Sequence, residues 1–283
     1  MCPTPKVIKV MSYAIQSKEE DYEIDPEYTS YWIEKYDEAG KLLEKRYTKD
    51  FTFKDNEEYL IERYEYDEKG RLLQIVSNRS EEPQECHFYD TDNDGNEIEI
   101  VSQDDYYNDA DEFTDASQEI HEYFGAVHVF TVKSPAGVLL AKWVVHENLE
   151  NHAYYVFSYE KYLYDDNGNL AEVIQFCDVE IDEDGSIRSA KEFGRLKVTI
   201  EKSGDKTVTI RRNDSGQIES KETIVICRDA NGVEHPKEYI LEDEHGIEYR
   251  TEYEYPENSF DHYIKYDLDG LDQDYRTEYW VEQ

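Results

Sequence analysis

Short runs in which apolar and polar residues alternate recur along the chain and are separated by turn residues. In the stretch "YEYDEKGRL", Tyr64 and Tyr66 precede a turn and Leu72 follows it, so the apolar positions can share one face of two short strands. Asp67 at the first turn position can accept a backbone N–H, and Gly70 can adopt the left-handed conformation that closes such loops. This pattern predicts an antiparallel β-hairpin.

Similar strings return at residues 36–42 and 164–170, and weaker forms begin at Ile181, Arg212, Arg228 and Glu242. Repetition of one hairpin predicts an all-β fold, an antiparallel meander of tandem hairpins that forms an extended or curled sheet. We expect a single elongated domain over residues 1–283, with a subdivision into 1–125 and 126–283 as the alternative.

The most apolar of these segments is "AVHVFTVKSPAGVLLAKWVVH", which starts at Ala126 and turns at "SPAG". Two strands this rich in valine, leucine and aromatic residues favour burial on both sides of the turn. We therefore predict that this hairpin is the best-buried part of the chain.

One segment, "EFTDASQEIHEYFG", has helical spacing. Phe113, Ala116, Ile120 and Phe124 would lie on one face of a helix, and Gly125 stands where a C-terminal cap belongs. The sequence thus predicts one short helical insertion in the β-meander.

The hairpin strings resemble the YD repeat of the RHS/YD family, whose core pattern is Y-x-Y-D-x-x-G-R-L. The resemblance implies a spiralling antiparallel sheet, which in the best-known members is a hollow shell around a toxin domain. This chain is too short to enclose such a cargo, so the resemblance concerns the fold more than the function. Small acidic immunity proteins, encoded beside polymorphic toxins, often carry related β-repeats. The matching residues are Tyr64, Tyr66, Asp67, Gly70, Arg71 and Leu72, then Tyr162, Tyr164, Asp165, Gly168 and Leu170, where Asn169 replaces the arginine.

The charge balance narrows the function. Asp and Glu total 68 against 30 Lys and Arg, which gives a formal charge of -38. Such a field repels nucleic acid and anionic membranes and attracts basic proteins. The 26 tyrosines indicate a folded chain and not a disordered acidic tail. Four scattered cysteines and an N-terminus without an apolar signal segment predict a cytoplasmic protein.

The most one-sided segment runs from Glu81 to Gly125, with many carboxylates and no lysine or arginine. Its centre mixes acids with tyrosines, a composition in which acids can steer a basic partner and aromatic rings can anchor it. A solvated acidic loop is the alternative. The candidate partner-binding residues are Asp104, Asp105, Tyr106, Tyr107, Asp109, Asp111 and Glu112.

In the same segment, Asp90, Asp92, Asp94 and Gly95 imitate the first half of an EF-hand calcium loop. Position twelve is Val101 where a bidentate Glu is needed, so the full motif is absent and an Asp-rich turn is the alternative. The eight histidines form no metal-binding cluster, and no nucleophile or phosphate-binding motif is present. We expect no cofactor and no catalytic activity.

Residues 187–212 have the opposite bias, with eight basic and three acidic side chains. They can pair with acidic strands beside them or meet the acidic segment of a second copy, which leaves self-association open.

Three functions follow from the sequence. The first is a non-enzymatic acidic protein that neutralises a basic protein partner, as an immunity protein or a nucleic-acid mimic. The second is a β-repeat scaffold whose acidity prevents strand edges from aggregating. The third is a carbohydrate-active enzyme that uses paired carboxylates.

Overall fold

The computed structural model describes residues 6–15, 29–48, 59–80, 82–108, 122–148, 153–182, 185–243, 245–256, 260–269 and 274–282. Eighteen strands form one antiparallel sheet in these residues. They are β1 Val7–Ile15, β2 Thr29–Tyr36, β3 Leu42–Thr48, β4 Ile61–Tyr66, β5 Leu72–Ser77, β6 Glu85–Thr91, β7 Glu97–Asn108, β8 Glu122–Lys133, β9 Leu139–Asn148, β10 Ala153–Tyr164, β11 Leu170–Ile181, β12 Ile187–Ser203, β13 Lys206–Arg212, β14 Ile218–Arg228, β15 Glu234–Asp243, β16 Gly246–Glu254, β17 His262–Asp269 and β18 Asp274–Glu282.

The all-β antiparallel meander is confirmed, but the expectation of an extended or curled sheet is wrong. The first strand pairs with the second, Ser12 opposite Ser30, and also with the last, Ser12 opposite Thr277. The hydroxyls of Ser12 and Thr277 lie 2.9 Å apart. The strand order therefore closes on itself, because pairing between the first and last strands satisfies hydrogen bonds that an open sheet would leave exposed.

The predicted helical insertion is not found in the described part of the chain. Most of it, residues 112–121, lies outside the described residues. Its predicted last turn belongs instead to β8, where Phe124 pairs with Tyr106 and Gly125 pairs with Asp105. Ladder hydrogen bonds to β7 thus override the local helical spacing at this end.

The D-x-x-G turns close the hairpins as their sequence predicts. In the turn after β10, the Asp165 carboxylate accepts the N–H groups of Asn167 and Asn169 at 2.9 and 2.8 Å. The N–H of Gly168 bonds the carbonyl of Asp165, and Gly168 has a φ of 78°. Hydrogen bonds to the Asp165 carboxylate lower its pKa, and the bond from the backbone N–H of Asn169 has the largest effect. The aspartate thus stabilises its turn as an anion.

The arginine of the YD-like string joins one hairpin to the next. Arg71 Nε donates to the Asp67 carboxylate at 2.8 Å, and Nη1 reaches Glu97 at 2.9 Å. Its guanidinium lies 3.9 Å from the ring centroid of Tyr89, whose hydroxyl donates to the carbonyl of Leu72. A cation over an aromatic face adds to the ion pairs. The motif therefore links β4–β5 to β6–β7.

The chain divides into two compact units. Unit 1 contains residues 1–64, 77–81 and 198–283, and unit 2 contains residues 65–76 and 82–197. The four boundaries lie at 64/65, 76/77, 81/82 and 197/198.

The core of unit 2 lies in the hairpin that we predicted to be best buried. Phe130, Ala141, Trp143 and Val145 are buried together with Tyr159 from β10. The rings of Phe130 and Trp143 stack with centroids 4.8 Å apart. Aromatic residues supply much of the buried area here, as expected for one face of a thin sheet.

Unit 1 buries residues on both faces of β1. On one face, Val10 is fully buried between Trp32 of β2 and Tyr279 of β18, and Tyr279 stacks on Tyr263 at 4.4 Å. Burial raises the pKa of Tyr263 to about 12. The other face carries a second cluster, made of Tyr13, Ile15, Ile264 and Tyr266.

Candidate protein-binding surface

Strands β6 and β7 carry most of the described part of the acidic segment, and two of their carboxylates, Glu97 and Glu99, pair with basic residues from outside it. Glu99 accepts from Lys133 of β8 at 3.1 Å and from Tyr89 at 3.1 Å, and it lies 3.3 Å from His87 Nδ1. Burial alone would raise the pKa of Glu99, but the hydrogen bonds from Lys133 and His87 outweigh it and lower that pKa. Glu99 is therefore a structural anion.

These pairings are not visible in the order of residues along the chain. Arg71 precedes the acidic segment and Lys133 follows it, yet the sheet places Arg71 against Glu97 and Lys133 against Glu99. The signal that could have found them is antiparallel register, which brings neighbouring hairpins alongside. The segment is thus less one-sided in the fold than in the sequence.

The candidate partner-binding residues lie where β7 approaches its C-terminal end. Asp104, Asp105, Tyr106 and Tyr107 extend this strand and pair with β8. The remaining three, Asp109, Asp111 and Glu112, lie outside the described residues.

Register places the acidic end of β7 in line with three further strands. Asp104 is opposite Ala126 of β8, which is opposite Glu147 of β9, which in turn is opposite Tyr154 of β10. His128 Nε2 lies 3.2 Å from the Glu147 carboxylate. Four adjacent strands thus bring acidic and aromatic positions together at one end of unit 2.

The calcium candidate is divided between a strand and a turn. Asp90 belongs to β6 and pairs with Ile98. Asp92 opens the next turn, where its carboxylate accepts the N–H of Asp94 at 2.9 Å and the backbone and side-chain N–H of Asn96 at 2.8 Å. Those hydrogen bonds lower the pKa of Asp92, and the bond from the Asn96 side chain has the largest effect. Within the described ranges, no three His, Cys, Asp or Glu side chains are arranged to hold a metal ion.

Basic side chains throughout the described strands are engaged by carboxylates of the same sheet. In unit 1, Lys35 and Arg46 contact Glu44 at 2.8 and 3.0 Å. In the basic stretch, Arg195 contacts Glu192 at 2.6 Å and Glu172 at 3.1 Å. Glu44 thus pairs with Lys35 across two strands and with Arg46 along its own strand, and Arg195 likewise has a cross-strand partner in Glu172 and a same-strand partner in Glu192. Others in ion pairs are Lys9, Arg71, Lys133, Arg188, Lys191, Lys221, Arg228, Arg250, Lys265 and Arg276.

Among the residues that the structure covers, no helix has the length and apolarity needed to cross a membrane.

No protein-family model matches the chain, and no curated protein matches it. Among solved structures, it is similar to a porin-like protein from Bacteroides uniformis ATCC 8492, with 12% identity, a TM-score of 0.28, and coverage of 97% of this chain and 95% of the other. It is also similar to a structure described as TcdB2-TccC3-TEV, with 10% identity, a TM-score of 0.20, and coverage of 86% of this chain and 15% of the other.

Proposed function

We propose that this protein binds and neutralises a basic protein partner through its surface, without catalysis or a cofactor. The charge surplus carries the proposal. The chain has 68 carboxylates against 30 basic side chains, and the described ion pairs already engage many of those cations within the sheet. The remaining carboxylates leave a strong negative field for a partner in solution.

The closed strand order favours this function over that of a scaffold. A scaffold would need its acidity to keep free strand edges from pairing with other molecules. Because β1 and β18 pair with each other, the two ends of the meander offer no such edges. The surplus of negative charge therefore needs another role, and recognition of a cationic partner supplies it.

A cytoplasmic location and an aqueous partner belong to the same proposal. Arg276 and Glu278 occupy one face of the unit 1 strands, while Lys265 and Asp267 occupy the other. Charged side chains on both faces favour water on both, because an unscreened charge in an apolar medium is costly.

The test is capture of a partner on the immobilised protein from the cells in which it occurs. We expect a stoichiometric basic protein that binds at low ionic strength and is released at about 1 M salt, where the Debye length is about 3 Å. Absence of a basic protein at low salt would overturn the proposal.

A pair of matched variants locates the surface. In one, the five acids Asp104, Asp105, Asp109, Asp111 and Glu112 are replaced by their amides. In the other, five turn acids are replaced in the same way, so the net charge is equal. We expect the first variant to lose the partner and the second to keep it; equal capture by both would exclude the β7 end. The turn acids are Glu38, Glu68, Asp94, Asp166 and Asp214.

A further inference from the structure

Strand β10 changes from buried to exposed aromatic residues within a few positions. Tyr159 is 6% exposed and stacks on Phe176 at 4.6 Å in the core of unit 2. Toward the start of the strand, Tyr155 is 61% exposed and Phe157 is 79% exposed. Leaving a phenyl ring in water forgoes the stabilisation that its burial would provide. The two exposed rings therefore need an explanation.

A β-bulge produces this exposure. Val156 pairs with Val145 and Ser158 pairs with Val144, so Phe157 is an extra residue without a partner on β9. Bulges turn a side chain away from the regular ladder. The ring of Phe157 keeps one aromatic neighbour, His146, at 5.7 Å, and Tyr155 pairs with that same histidine across the strands. Tyr155, Phe157 and His146 thus form one aromatic patch, the β10 patch.

The register connects the β10 patch to the acidic end of β7. Tyr155 is opposite His146, His146 is opposite Val127, and Val127 is opposite Gln103, the residue before Asp104. Three strand spacings separate β7 from β10, about 14 Å. One protein partner can cover such a distance, since a standard interface buries about 800 Å² on each side.

We infer that the β10 patch is the aromatic anchor by which this protein holds arginine side chains of a basic protein partner. This role rests on the proposed function, and it identifies the residues that add cation–π contacts to the attraction between opposite charges. Charge complementarity selects a cationic occupant, and a guanidinium can lie flat on an aromatic face. Cation–π contacts already occur within the chain, where the guanidinium of Arg71 lies 3.9 Å from the ring centroid of Tyr89 and the ammonium of Lys45 lies 4.8 Å from that of Trp32.

Phe193 provides a matched control. It is 75% exposed and also sits at a register shift, between Glu192, which pairs with Phe176, and Gly194, which pairs with Gln175. No ring of the described residues stacks on Phe193, and Arg195 beside it is already held by Glu192. A single exposed apolar residue is ordinary on a protein surface.

The probe is a fluorescent nona-arginine peptide, titrated with the wild-type protein, with Tyr155→Ala/Phe157→Ala and with Phe193→Ala. All three carry the same charge. We expect binding to weaken about tenfold in the double variant, from the loss of two cation–π contacts, and to stay within about twofold in Phe193→Ala. Tyr155→Ala/Phe157→Thr, which places a β-branched residue of high strand propensity at position 157, should behave like the first double variant.

The outcomes separate the inference from the proposed function. If the wild type binds the peptide and the double variants bind it equally well, the inference is overturned and the charge-based proposal stands. If the wild type does not bind nona-arginine even at low salt, both are overturned. Flotation of the wild type, but not of the double variants, with neutral phosphatidylcholine vesicles would assign the patch to a lipid surface instead. Unchanged circular dichroism and melting temperature show that the variants are folded.

Discussion

Trp143 Nε1 donates a hydrogen bond to the carbonyl oxygen of Gly185 at 3.0 Å, although the two residues are 42 positions apart. This bond holds the turn between β11 and β12 over the core of unit 2. The hairpin that contains this turn is irregular, with three register shifts between its strands and a positive φ of 48° at Asp178. A turn that ordinarily lies in solvent thereby becomes part of the core.

The first prediction concerns Gly185. A Cβ at this position would lie 2.3 Å from the ring of Phe130, whereas a Cβ on Gly168 meets nothing within 4 Å. The φ values are +80° and +78°, so Gly185→Ala and Gly168→Ala carry similar backbone strain, about 1–2 kcal/mol. Overpacking against Phe130 should cost Gly185→Ala about 1–3 kcal/mol more in free energy of unfolding. Urea denaturation measures both variants, and equal losses would contradict the packed turn.

The second prediction concerns Glu99, the partly buried anion of β7. Glu99→Gln removes the charge that Lys133 and His87 share, and we expect a loss of about 1–2 kcal/mol in the free energy of unfolding. Glu97→Gln, two residues away, should cost at most about 0.5 kcal/mol, because the Glu97 side chain is 41% exposed against 19% for Glu99. If chemical denaturation ranks the two in reverse order, the β6–β7 network does not stabilise the fold.

The third prediction concerns acid stability of the turns. The folded-state pKa of Asp165 is lowered from its ordinary value of 3.8, so its contribution to stability is present above pH 3.8 and is lost as pH falls below it. Asp165→Ala should therefore melt below the wild type at neutral pH, and the gap should shrink on acidification. Asp166→Ala removes a neighbouring charge of the same turn and is the control. A gap that does not depend on pH would argue against an anionic role.

The fourth prediction tests closure of the strand order. Ser12→Cys with Thr277→Cys should form a disulfide, because directly opposed residues on antiparallel strands have Cα atoms about 4.5–5.5 Å apart. The four native cysteines are first replaced by serine. Joining the chain ends should add about 2–4 kcal/mol and speed migration of the denatured chain on a gel. Ser12→Cys with Ser30→Cys, which joins β1 to β2, is the control. An open sheet would give only the control crosslink.

Local chemistry made the turns and hairpins predictable. An aspartate that caps its own turn and a glycine with positive φ act within five residues, so Asp165 and Gly168 can be identified without knowing any other part of the fold. The most apolar hairpin was equally readable, because burial of Phe130 and Trp143 follows from composition.

Closure of the strand order could not be read in the same way. Ser12 and Thr277 are 265 positions apart, and the sequence around each of them does not indicate that they pair. Partners of the acidic strands were missed for a related reason, since Lys133 reaches Glu99 through register and not through proximity in sequence.

The exposed rings of the candidate surface were missed because a bulge has no clear signature. Nothing in "AYYVFSYEKY" distinguishes Phe157 from Tyr159, yet one is in water and the other is in the core. An extra residue on one strand changes the face of every residue that follows it.

Val7 pairs with Glu282, which suggests that the order of the strands along the chain can be circularly permuted. A short linker between the first and last strands would join them without stretching the backbone, and the chain could then be opened at a solvent-exposed turn such as the one after β10. Circular permutants of this kind would retain every strand neighbour while altering the order of synthesis. Because the first strand pairs with the last, the position of the chain ends is a matter of covalent connection and not of strand pairing.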